Sequence, residues 1–271
     1  MTFDFMWRKY TRLWWCGNEG VFNFGDELNP WLVEKISKTR IKRVHKLSAY
    51  NLFKTHICIG SVMNRVNKRT VVWGAGIMDK DTKFEESDFR AVRGPLTQKR
   101  IKDQGFCPPS TVGDPALLLP RFYLPERKER NKYGLIPHYV DYADVLNRVE
   151  GDGNIKVIDL TGSIEQVIDE INACEIIFSS SLHGIIVANA YGKQAYWLAF
   201  SDKLSGDGTK FFDYGLSVGM GKYQINCTKV NSQQKLDSSC LEEIIVHGSA
   251  FSVKVDLELM QDELLESCPF Y

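Results

Sequence analysis

The sequence predicts an α/β protein built as two Rossmann-like domains facing a cleft. Two observations lead there. Short apolar runs ending in small or turn residues alternate with helical patterns almost throughout, and a charged break at 121–132 divides that alternation into two similar halves. Strands that are apolar along their length and end in glycine or serine belong to parallel sheets buried on both faces. The expected domains are residues 1–125 and 126–271.

The elements follow in order. Leu13-Trp14-Trp15-Cys16 is a strand candidate, followed by a polar loop and a helix from about Glu27 to Ser37. His56 to Ile59 runs into Gly60-Ser61, Thr70 to Trp73 into Gly74-Ala75-Gly76, Phe89 to Val92 into Arg93-Gly94-Pro95, and Thr111-Val112 into Gly113-Asp114-Pro115. Pro95 suits the first turn of a helix, where a missing N–H costs nothing. Arg121 to Lys132 carries seven charges, two of them acidic, and reads as a linker. The alternation resumes with strands at Tyr133–Ile136 and Ile155–Ile158. Ser163 to Gln166 reads as a capping box opening a helix to about Ala173. A buried strand at Glu175–Phe178 ends in Ser179-Ser180-Ser181. A helix from Leu182 to Tyr191 closes on Gly192, and a strand spans Ala195 to Phe200. Leu257, Met260, Leu264 and Leu265 give the tail amphipathic helical spacing.

The 34 basic side chains balance the 34 acidic ones, so no global field draws nucleic acid or an anionic surface, and any anion site must be local. Met1 to Tyr10 lacks the apolar stretch of a signal peptide, and no run is long and apolar enough to span a membrane. The seven cysteines are scattered, with no pair at metal-ligand spacing. Free thiols, no zinc and a reducing cytoplasm are therefore expected, with Cys58 and Cys174 as buried small hydrophobes.

In a sheet of this kind ligands bind outside the carboxyl ends of the strands. Asn23-Phe24-Gly25-Asp26 precedes the first long helix; Gly25 permits unusual backbone angles, Asp26 suits an N-cap, and helix amides favour an anion. The same residues also describe a plain capped turn. Gly60-Ser61 and Gly74-Ala75-Gly76 complete no dinucleotide fingerprint, so no nicotinamide cofactor is expected, yet Gly60, Gly74 and Gly76 would let a ligand approach the backbone. Arg93 at a strand end can grip a phosphate or carboxylate with two prongs; by position alone it also reads as a surface arginine. Asp114 is placed to cap a helix or orient a cation. The strongest local signal is Ser179-Ser180-Ser181-Leu182-His183-Gly184, three hydroxyls and an imidazole at a strand-to-helix turn that can bind phosphate or move a proton. His138 follows a strand on the same cleft rim, or is a loop histidine. Lys210 follows the glycine-rich stretch Ser205 to Gly208, which reads as a closing loop, or is a solvated lysine.

Together these segments resemble the polysaccharide pyruvyl transferase family. The resemblance runs from about Trp14 to Gly219 and rests on Asn23 to Pro30, Trp73 to Gly76, Val92 to Pro95, Gly113 to Ala116, Ile136 to Tyr139, Ser181 to Gly184 and Lys210 to Tyr214. It implies a GT-B-like fold and a phosphoenolpyruvate donor rather than a cofactor. The implied acceptor is a hydroxyl pair of a glycan or lipid-linked oligosaccharide, and the product a cyclic pyruvate ketal. Peripheral membrane association is compatible with such an acceptor. The implied catalytic residues are His183, Arg93 and His138. Donor contacts would come from Asn23, Gly25, Asp26, Gly60, Ser61, Gly74, Gly76, Arg93, Ser180, Ser181, His183 and Lys210. Many members carry arginine immediately before the Leu-His pair, where this chain has Ser181. Two other readings share the architecture: a glycosyltransferase using a nucleotide sugar, and a non-catalytic carbohydrate- or anion-binding module.

Overall fold

The apolar runs become strands of two parallel sheets in the computed structural model, which describes residues 10–17, 22–125, 131–149, 151–201, 206–231 and 233–270. Met1 to Lys9, the middle of the expected linker at 126–130, and Ser205 of the expected closing loop lie outside the described residues. The first half runs β1 (Tyr10–Leu13), α1 (Phe24–Ser37), β2 (Arg40–Arg43), β3 (Thr55–Ile57), β4 (Thr70–Trp73), β5 (Asp88–Val92), α2 (Pro95–Asp103) and β6 (Thr111–Val112), then a 3-10 helix at Pro115–Arg121. The second half runs β7 (Asn131–Ile136), α3 (Tyr142–Arg148), β8 (Ile155–Val157), α4 (Ile164–Asn172), β9 (Cys174–Ser179), α5 (Leu182–Ala190), β10 (Gln194–Ala199), α6 (Thr209–Ser217) and β11 (Thr228–Lys229). It ends with α7 (Ser238–His247) and α8 (Leu257–Glu266).

The first sheet has the order β2-β1-β3-β4-β5-β6 and the second β11-β10-β9-β7-β8. All the strand pairings in both are parallel. Each half therefore winds outward from its first strand in both directions. The reversal points fall between β1 and β3 and between β7 and β9, where a doubly wound sheet opens a crevice.

Several boundaries move from their expected places, each for a local reason. β1 is Tyr10–Leu13 rather than Leu13–Cys16: Trp15 leaves the sheet to donate to Glu27 Oε1 at 3.1 Å, and its ring stacks under the Arg43 guanidinium at 4.4 Å. α1 starts at Phe24 because Asn23 is the N-cap, accepting from the Gly25 amide at 3.1 Å, which releases Asp26 from capping. β2, Arg-Ile-Lys-Arg, is a charged edge strand and lacks the apolar run that marks the others. Arg121 is no free linker residue; it donates to Gln261 Oε1 at 2.7 Å and Asp262 Oδ1 at 2.6 Å on α8. Pro95 does open α2, and Ser163 does cap α4 by accepting from the Gln166 amide. Cys58 and Cys174 are buried free thiols.

One apolar core joins the halves: Phe24, Leu28 and Leu32 of α1 share it with Val167, Ile168 and Ile171 of α4 and with Ile185 of α5. The chain end returns to the first half. Trp73 Nε1 donates to Leu264 O of α8 at 2.9 Å, and Phe270 packs edge-on against Trp73 at 5.7 Å. The strongest polar tie is a fully buried ion pair, Arg93 of the first half with Asp213 of α6 at 3.1 Å. Asp213 also caps a helix that is not its own. Gly94 at the start of α2 has no side chain to offer, and Asp213 Oδ1 accepts from the Leu96 and Thr97 amides at 2.9 and 3.0 Å. Thr97 Oγ1 donates to Asp213 Oδ2 at 2.6 Å. Removing this carboxylate strands a buried guanidinium and uncaps α2 together. Asp213→Ala is therefore expected to cost ~3–5 kcal/mol in urea unfolding, and Asp213→Asn, which keeps an acceptor for α2, less.

Candidate active site

The two reversal points face the same pocket, of about 200 Å³. From the first half it is lined by Asn23 and Asp26 at the start of α1, Gly60 and Ser61 beyond β3, and Cys16, Phe22, Val62 and Met78. From the second half come His138 and Tyr139 beyond β7, Leu160 beyond β8, Ser181 to His183 at the start of α5, and Lys210 in the first turn of α6. The Phe24 amide donates to Leu160 O at 3.1 Å, holding the two rims together. A larger groove, about 550 Å³, lies at the beginnings of β1, β2 and β3 and contains none of the expected site residues. We place the chemistry in the smaller pocket because the carboxyl ends of both sheets converge there.

Of the residues singled out from sequence, Asn23, Asp26, Gly60, Ser61, His138, Ser181, His183 and Lys210 reach the pocket wall. The others stand behind it. Gly25 is ordinary α-helix, so its backbone angles are not what it contributes; a Cβ there would lie 2.2 Å from His183 Nδ1, and the missing side chain is what admits the imidazole. Gly76 does the same for Arg93, whose Cζ would meet a Cβ at 2.4 Å. Gly74 lies against Pro115, away from the pocket. Ser180 is buried, and its Oγ accepts from the His138 amide at 2.9 Å, fixing the turn that carries that ring.

Arg93 is neither a surface residue nor part of the wall. It is fully buried, and besides Asp213 it donates to Ile77 O at 2.6 Å and to Ser61 Oγ at 2.7 Å. It reaches the pocket through the hydroxyl it orients and through its charge. Burial first, then that charge, holds Lys210 down to about 8. Burial first, then the charges of Arg93 and Lys210, push His183 down to about 3. Burial and Lys210 also lower His138. Both imidazoles are therefore held neutral near pH 7.

Two carboxyl groups complete the site. Asp26 is raised to about 7, chiefly by burial and then by its neighbour Glu27, with Arg43 opposing. Asp114 is fully buried and raised to about 6 by desolvation, despite the amide of Ala116 that it caps at 3.0 Å. Its second oxygen faces His183 Nε2 at 3.9 Å, and neither atom has a hydrogen-bond partner. Two buried orphan atoms aimed at each other need explanation; a shift of about 1 Å would make them a bonded pair that fixes the imidazole tautomer. Sequence reading placed Asp114 at a strand end but missed Asp213, Phe22, Cys16 and Met78. Asp213 was legible as the one acid in the aromatic stretch Lys210 to Tyr214; the other three have no local signature. No group of three or more His, Cys, Asp or Glu side chains among the described residues is placed to hold a metal ion.

The raised Asp26 has a consequence for stability. A carboxyl whose folded value exceeds its unfolded value stabilises the fold only while protonated, so its contribution is lost as pH rises through about 7. Asp26→Asn is expected to raise the melting temperature above neutral pH, with the gap to wild type closing toward about pH 4. Melting curves across that range test the assignment, and a gap independent of pH would refute it.

Comparison with known proteins agrees with this geometry. The polysaccharide pyruvyl transferase profile matches residues 23–202, which contain the pocket residues of both halves except Cys16, Phe22 and Lys210. The chain is 31% identical over 228 residues to the uncharacterized protein L143 of Acanthamoeba polyphaga mimivirus, a match covering 79% of this chain and 78% of that one. It is 27% identical over 219 residues to the succinoglycan biosynthesis protein ExoV of Rhizobium meliloti (strain 1021), covering 76% of this chain and 64% of ExoV. A doubly wound pair of parallel sheets with their reversal points on one small pocket thus comes with a profile match over well more than half of the chain, and the protein belongs to the polysaccharide pyruvyl transferase family.

Proposed function

We propose that this protein transfers pyruvate from phosphoenolpyruvate to two hydroxyls of one sugar of a polysaccharide or its precursor. The observation that carries the reading is the convergence of His183, His138, Lys210 and the Ser61 hydroxyl held by Arg93 on one small pocket at the carboxyl ends of both sheets, within the segment the family profile matches or just beyond it. A donor bearing phosphate and carboxylate on three carbons suits a wall that offers an ammonium, hydroxyls and the start of α5. The pocket, about 200 Å³, suits so small a donor and lies below the ~300–1,000 Å³ usual for drug-sized ligands, which argues against an enclosed nucleotide sugar. The name of the relative ExoV supports a glycan acceptor. We read the two halves as a GT-B-like pair and place the reaction in the cytoplasm, on the free thiols.

The chemistry divides between groups whose proton affinities are pushed apart. A proton adds to the methylene carbon and leaves an oxocarbenium-like centre at the carbon bearing phosphate. One sugar hydroxyl adds there, phosphate leaves, and the second hydroxyl closes the ketal. Of the two hydroxyl protons released, one balances that taken up by the methylene and the other leaves on phosphate. Asp26 titrates near neutral pH and is suited to donate a proton; His183 stays neutral and is suited to hydrogen-bond the donor, oriented by Asp114. Lys210, the start of α5 and the Ser61 hydroxyl hold the anionic groups, with Ser181 at the place where many members have arginine. His138, its Nδ1 unpartnered, is assigned to the acceptor side.

The test is acceptor-dependent phosphate release from phosphoenolpyruvate with the matching mass gain on the glycan, run beside nucleotide sugars as donors. His183→Ala should lower turnover roughly 10²–10³-fold while keeping the wild-type melt. Binding without turnover would identify an anion-binding module instead. Lys210 loses its charge as pH rises through about 8, so the donor KM should climb there, and Lys210→Arg, whose charge does not titrate, should flatten that limb. Ser181→Arg should tighten donor binding, since the Ser181 side chain caps no amide of α5.

A further inference from the structure

The β2 edge of the first sheet and the loop that follows it carry a surface that the transfer reaction does not use. Between Lys38 and Lys54 the chain has six cationic side chains, Lys38, Arg40, Lys42, Arg43, Lys46 and Lys54, and no acidic one, in a protein whose net charge is zero. Lys38, Arg40, Lys42 and Lys46 are exposed. Two of the six are engaged elsewhere: Arg43 on Trp15 and Gly17 O, and Lys54 with Asp88 at 2.9 Å. The loop after β2 then presents Tyr50, Leu52 and Phe53, which are 96%, 80% and 46% exposed. The Thr55 amide donates to Arg69 O at 3.0 Å, bringing exposed Lys68 and Arg69 to the start of β3 beside this loop.

We infer that this edge of the sheet docks on an anionic lipid bilayer, with Tyr50 and Leu52 entering the interface and the exposed Lys and Arg side chains facing the headgroups. Large apolar side chains held out in water are costly to leave there, and an aromatic tip ringed by cations matches the boundary of an anionic membrane, apolar below and negative above. The neighbouring groove at the starts of β1 to β3 adds Arg12, whose Nε is buried without a hydrogen-bond partner, together with Lys42 and Phe53. Arg12 lies 5.9 Å from the Phe53 ring centroid, so the apolar tip and the anion-seeking groove are one continuous surface. The inference stands on charge and exposure alone and does not depend on the donor assignment.

The experiment is co-sedimentation of the full chain with phosphatidylcholine vesicles, with and without phosphatidylglycerol, at low and high salt. Binding to the phosphatidylglycerol vesicles alone, weakened by salt, is the expected result. Tyr50→Asp with Leu52→Asp should abolish it, while Arg40→Glu with Lys42→Glu should reduce it by roughly fivefold or more for each cation lost. All four side chains are exposed, so the melts should match wild type, and phosphoenolpyruvate turnover with a soluble acceptor should not change. Failure to bind, equal binding to neutral vesicles, or undiminished binding by either double variant would overturn the inference. So would self-association that the Tyr50 and Leu52 substitutions abolish in the absence of lipid.

Discussion

The buried contact between Arg93 and Asp213 is the constraint on which the rest of the site depends. A guanidinium and a carboxylate taken out of water survive only if their hydrogen-bonding capacity is spent well. Here Arg93 is shared among Asp213, Ser61 and Ile77 O, while Asp213 takes the guanidinium, two amides of α2 and the Thr97 hydroxyl. The pair crosses from one half to the other, so satisfying it sets α6 against α2. That placement in turn positions Lys210, three residues before Asp213, on the pocket wall. Close approach is what makes it feasible. Gly76 leaves space for the guanidinium, and a Cβ on Gly94 would fall 2.0 Å from Asp213 O.

The same pair shapes the chemistry at a distance. Coulomb interactions are weakly screened where water is scarce, so the charge of Arg93 acts on His183 and Lys210 without touching a ligand. Burial works in the opposite sense on the acids, lifting Asp26 to about 7 and Asp114 to about 6. One small volume thus holds a carboxyl that keeps its proton, an imidazole that refuses one and an ammonium near its titration point. Affinities separated in this way are common where a site moves protons or binds anions.

The doubling of the architecture explains where the pocket lies. Each half reverses direction beside its first strand, and each reversal leaves loop ends and a helix start without a neighbour in its own sheet. Facing the two reversals toward each other covers both, and Phe24 N to Leu160 O and Trp31 Nε1 to Glu165 Oε1, at 3.1 and 2.6 Å, lock the arrangement beside the pocket.

Much of this was legible in the sequence because the signals were local. Strands at Thr70–Trp73 and Thr111–Val112, helix starts at Pro95 and Ser163, and the placement of Ser181, His183 and His138 at strand ends follow from apolar runs, caps and turn residues a few positions apart. Local rules failed where a distant partner decided the outcome. Trp15 leaves its strand for Glu27 and Arg43; Asn23 displaces Asp26 from the cap; Gly25 is needed by His183 and not by its own backbone. The family's motif segments and the parallel α/β class were thus determined by the sequence alone. Only the tertiary structure decided that Arg93 is a buried tie, that Asp213 caps a helix more than a hundred residues away in the chain, and that Asp114 and His183 face each other unpaired. The physical reason is that burial and charge are properties of a whole neighbourhood, and that neighbourhood is assembled from segments whose spacing along the chain carries no trace of it.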